Sequence, residues 1–81
     1  MWNHKIEKIR KILNKSIYGE VPWEKMRDEL VKFLRTDKLA KKIIPGRFAA
    51  SFEKSKTTEG FDRTLERLYD FCDINRIWMG F

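Results

Sequence analysis

Along most of this chain apolar residues recur at spacings of three and four, the repeat of a helix with one buried face. Over residues 3–18 the stripe is Ile6, Ile9, Leu13 and Ile17, flanked by Trp2 and Ile12. Asn3 is suited to cap this segment and Gly19 to stop it. A second helix is predicted over residues 22–35, with Pro22 at the first helical position, where its missing N–H costs nothing. Trp23, Met26, Leu30, Phe33 and Leu34 form its buried stripe, widened by Val31. Glu24, Lys25, Arg27, Asp28, Glu29 and Lys32 fall on its wetter side. Its acids lie early and Lys32 and Arg35 late, which suits the helix dipole.

After Thr36 the pattern shortens. Thr36 is placed to cap a brief helix through Asp37, Leu39, Ala40 and Ile43. That helix ends by Ile44, because the residue before Pro45 is pushed away from helical dihedrals. Pro45-Gly46 opens a turn, and Phe48, Ala49 and Phe52 fit another short helix with both phenylalanines on one face. The polar stretch 53–60 reads as a mobile surface loop. Thr57 or Thr58 then caps the last long helix, 58–73, with Phe61, Leu65, Leu68, Tyr69 and Cys72 as its stripe.

Four of the last five residues, Ile77, Trp78, Met79 and Phe81, are large and apolar. Burying each is worth about 1.5–3 kcal/mol, so the tail is expected to pack on the helices or in an interface. The pattern leaves open whether it does so as a turn of helix or as a strand. The fold class that follows is all-α: a small bundle of four to five helices in a single domain, residues 1–81, with the apolar C-terminal tail packed on it.

Composition narrows the setting. With 81 residues, 42% of them apolar, there is material for one core and little surplus. Cys72 is the only cysteine, so no intrachain disulfide can staple this small domain, and a reducing, cytoplasmic location is expected. The first residues lack the apolar stretch of a signal peptide, and no run approaches the ~20 apolar residues of a membrane span.

Charge changes the picture more. The net charge is +6, which favours anionic partners in a salt-sensitive way. Residues 1–15 carry five bases and one acid, and residues 37–56 carry six bases and two acids. Residues 16–36 balance, and residues 57–81 carry three bases against five acids. If the two basic segments lie side by side, Lys5, Lys8, Lys11 and Lys15 join Lys38, Lys41, Lys42, Arg47, Lys54 and Lys56 in one surface suited to phosphates. If they lie apart, the same residues only solubilise.

Two binding readings compete. Residues 37–56 have the spacing of a helix-turn-helix unit, in which Arg47 and Lys54 would contact phosphates or guanine edges and Ser51 would donate a hydrogen bond. The alternative is docking to another protein or to a second copy of this chain. Tyr69, Arg76, Trp78, Met79 and Phe81 are residues of the kinds that anchor interfaces. Protein binding by a small regulatory adaptor that can self-associate is the leading expectation, with DNA or RNA binding as the alternative. The basic, Ile-rich first helix could also lie on an anionic membrane, but a core this small needs its apolar face, so that role is not expected.

Catalysis is not expected. His4, the sole histidine, stands near the start of a helix without a carboxylate partner or further ligands. Cys72 falls on an apolar stripe, where cysteine is inert filler, and the glycines do not form a phosphate-binding loop. Asp70 and Asp73 are three apart with no matching pair for a metal site. No cofactor or metal is implied.

Overall fold

A computed structural model describes residues 4–17 and 21–79, with side chains for 5–14 and 21–79. Trp2, Asn3, Gly19 and Phe81 lie outside the described residues, as do the side chains of His4, Lys15 and Ile17. The order is β1 (His4–Lys5), α1 (Glu7–Ile17), α2 (Trp23–Thr36), α3 (Lys38–Ile43), α4 (Gly46–Lys54), α5 (Thr58–Ile74) and β2 (Ile77–Trp78). It is the expected all-helical bundle, closed by one two-residue parallel ladder.

The first helix starts later than its stripe suggests. His4 and Lys5 are extended and pair in parallel with Ile77 and Trp78, and Ile6 N–H donates to the Trp78 carbonyl at 2.6 Å. Ile6 is buried before the helix begins. Apolar spacing alone could not reveal this, because a partner strand more than seventy residues away satisfies the backbone here.

α2 begins one residue after Pro22, whose carbonyl accepts from Lys25 and Met26 at 3.1 and 3.2 Å. Asp37 both closes α2 and opens α3. Its N–H donates to the Phe33 carbonyl and its carboxylate accepts from Ala40 N–H, each at 2.9 Å. The expected cap, Thr36, is instead inside α2, where its hydroxyl donates to the Lys32 carbonyl at 2.7 Å. An extended aspartate leaves its carboxylate free to receive the first N–H groups, which outcompetes a threonine still held in helical dihedrals.

The 53–60 loop also needs correction. Glu53 and Lys54 finish α4, and Thr58, Glu59 and Gly60 already belong to α5. The polar side chains act as caps. Thr57 accepts from Gly60 N–H at 3.1 Å, and the Ser55 hydroxyl donates to the Ser51 carbonyl at 3.0 Å. Arg27, expected on the wet side of α2, donates to the Ser55 carbonyl at 2.7 Å and lies 5.2 Å from the Trp23 ring centre. A connection so tied is a junction between helices.

The core is a single cluster. Phe52, Phe61, Ile9, Leu30, Leu68 and Cys72 are its largest fully buried side chains. α2 packs against α1, α3 and α4, and α4 against α5. Phe52 and Phe61 rings meet at 5.3 Å, Trp23 and Phe61 at 6.1 Å, and Phe48 and Phe71 at 5.3 Å.

The tail resolves as a strand. Asn75 ends α5, its N–H and its side-chain amide both donating to the Phe71 carbonyl. Arg76 then adopts φ 56°, turning the chain so that Ile77 and Met79 are buried and Trp78 half-buried. Glycine usually occupies such a left-handed position, and its absence hid this turn from the sequence.

Two outcomes follow for stability in urea or heat. Phe61→Ala should cost about 3–5 kcal/mol, since both Trp23 and Phe52 lose their ring partner. Arg76→Gly should instead raise stability by about 0.5–1 kcal/mol, the relief of a left-handed residue less the added chain entropy. A loss with Arg76→Gly would mean that the arginine side chain contributes more than its backbone costs.

Candidate functional site

The charged residues of α5 lie on its exposed side, with Arg63 and Arg67 next to the acids in the helical repeat. Its acids Glu59, Asp62, Glu66, Asp70 and Asp73 are spaced three and four apart, so they share an arc of about 80°. All five are exposed. The opposite side faces α4, where Ser51 and Thr64 hydroxyls lie 3.2 Å apart and Phe71 meets Phe48.

Where the acidic stripe approaches β2, the surface opens into a groove of about 500 Å³. Tyr69, Cys72, Ile77, Trp78 and Met79 give it an apolar wall, and Asp70 and Asp73 supply carboxylates. Three of the five residues expected at a protein interface, Tyr69, Trp78 and Met79, therefore line one depression. Arg76 is exposed on the turn beside it and does not line it, and Phe81 lies outside the described residues. The aspartates and Ile77 were missed as site residues. The spacing of the α5 acids was the available signal, but only the return of β2 sets an apolar wall beside them.

The electrostatics of the groove follow from burial and neighbours. Burial pushes the Cys72 thiol up to about 11, so it stays protonated and unreactive at neutral pH. Burial, and then the nearby charge of Asp62, raises Tyr69. Lys5 sits in β1, with its ammonium 4.4 Å from the Trp78 ring centre and 3.2 Å from the Glu7 carboxylate. It thus braces the groove wall from β1, ahead of α1.

Lys8 and Lys11 line one groove and Lys41 another. Lys8 and Lys11 of α1 line a groove of about 400 Å³ with Ile12 and with Glu29, Lys32, Phe33 and Thr36 of α2. Lys41 lines a smaller one, about 220 Å³, with Leu34, Arg35, Ile44, Gly46 and Ala49. Among the described residues the two grooves share none. At about 100° per residue, Phe33 and Thr36 fall on one side of Leu30 and Leu34 and Arg35 on the other, so α2 stands between them.

Lys38, Lys42, Lys54 and Lys56 are exposed. Arg47 lies over the Phe48 and Phe71 rings, at 5.1 and 5.9 Å. Ser51, expected to donate outward to a nucleic acid, is half-buried and turned to Thr64. Its helix spends that position on packing against α5. Among the described residues no helix is long and apolar enough to cross a membrane, and no group of three or more His, Cys, Asp or Glu residues could hold a metal ion.

The fold and groove define a small all-helical protein with an acidic-rimmed apolar depression. No family model matches the chain, and comparison with curated proteins and with solved structures found no match.

The buried thiol carries a prediction for alkaline stability. Its folded pKa lies above its unfolded value, so the unfolded chain loses this proton first as pH rises. Stability should therefore fall from near pH 9 to near pH 11, by at most about 1.4 kcal/mol per pH unit for the one group. Tyr69 adds to the same decline. Thermal melts of the parent and of Cys72→Ala across this range should diverge, the variant showing the shallower fall; parallel curves would remove the assignment.

Proposed function

We propose that this protein is a non-catalytic binding module, a small cytoplasmic adaptor that docks a basic segment of another protein in the groove between α5 and β2. One observation carries the reading: the half-buried Tyr69 and Trp78 rings line a groove, floored by the buried Met79, beside the Asp70 and Asp73 carboxylates. Aromatic and methionine side chains are the usual anchors of protein interfaces, and carboxylates at the edge select partners by charge and speed encounter. The complementary ligand is a peptide with one large apolar side chain flanked by lysine or arginine. A second copy of this chain also presents basic surfaces, which makes self-association a special case of the same reading. Cys72 supports a reducing compartment, since it packs as a buried thiol without a disulfide partner.

The test uses an amphipathic lysine-leucine peptide and its glutamate-leucine counterpart as probes, read by amide NMR shifts. The lysine peptide should perturb residues 69–79, and the glutamate peptide should not. Asp70→Lys combined with Asp73→Lys should weaken the lysine peptide about tenfold or more, a loss of at least about 1.4 kcal/mol. Shifts confined to other faces, or equal binding of both peptides, would reject the groove as the docking site. Mass in solution over a range of concentrations decides whether the partner is the chain itself.

A further inference from the structure

The α1–α2 groove has a different chemistry from the α5–β2 groove. Its rim holds Lys8, Lys11 and Lys32, its floor Ile12 and the half-buried ring of Phe33. Among the described residues Glu29 is the one carboxylate that lines it. Ammonium groups around a recessed aromatic ring match a nucleic-acid strand whose phosphates follow the cations while a base stacks on the ring. We infer that this groove binds single-stranded nucleic acid, with one base against Phe33 and the flanking phosphates at Lys8, Lys11 and Lys32.

The single strand is favoured by the placement of the ring. Phe33 lies between two helices, where an unstacked base can reach it and the paired, stacked bases of a duplex cannot. A duplex would meet the lysines alone. The volume, about 400 Å³, suits one nucleotide in place and not a helix of nucleic acid. The site also lies on the opposite flank of α2 from the 37–56 segment, so it does not require the helix-turn-helix geometry. Contacts of this type carry little sequence information, because every base has a stacking face.

Fluorescence anisotropy with labelled oligo(dT), oligo(U) and a mixed-sequence duplex tests this across a salt series. Oligo(dT) or oligo(U) should bind at low salt, with log affinity falling against log salt at a slope of about −2 for three cations on a single strand. The dT and U arms show whether the sugar matters. Lys8→Gln, Lys11→Gln and Lys32→Gln together should abolish binding. Phe33→Leu, which keeps an apolar side chain in the core, should weaken it about tenfold while leaving the salt slope unchanged.

Amide NMR shifts on the parent protein, which need no variant, should cluster on residues 8–12 and 29–36. Three results would overturn the proposal: a duplex bound as tightly as the single strand, a Phe33→Leu variant with unaltered affinity, or shifts that map elsewhere.

Discussion

Burial of α2 between α1 and α4 is the constraint on which the remaining structure depends. Leu30 is among the most deeply buried side chains, with Met26 and Leu34 beside it. Phe33 is left on the α1 flank, while Leu34 and Arg35 line the other groove and Arg27 caps α4. A helix covered on two sides must expose the rest, and its outer edges become the walls of grooves. The groove lined by Lys8 and Lys11 and the groove lined by Lys41 therefore fall on opposite flanks of α2.

The second organising feature is how α5 divides its surface. Its inner face meets α4 through Thr64 and Phe71, while its acids occupy a single exposed arc. Like charges along one edge cost some stability in an isolated helix. The cost fits the basic partner proposed above, and Tyr69 and Trp78 beside it offer apolar area. A chain with a positive excess thus carries five acids along one helix edge, bordered by Arg63 and Arg67.

Local chemistry explains where the expectations held and where they moved. The helical stripes in α2 and α5 were legible because burial repeats with the turn of the helix: Met26, Leu30 and Leu34, then Phe61, Leu68 and Cys72, are buried. Pro45 ended α3 for a reason internal to the dipeptide, and Thr57 capped α5 as its side chain allows. The shift from Thr36 to Asp37 turns on a contest between adjacent residues that composition does not decide. Residues 53–60 looked like a loop because capping residues and loop residues are the same polar types. Ser51 looked available because its bond to Thr64 spans two helices.

The sequence by itself determined the all-helical class and the order of the three long helices, the greasy side of each, and the clustering of charge by segment. These are properties of neighbours along the chain, set by dihedral preference and by the helical repeat. Tertiary structure alone decided that residues 4–6 pair with Ile77 and Trp78, that Lys5 braces Trp78, and that Phe33 comes to lie among three lysines. Each of these joins residues distant in the chain. Their meeting depends on how packed helices exclude water together, which no local pattern encodes.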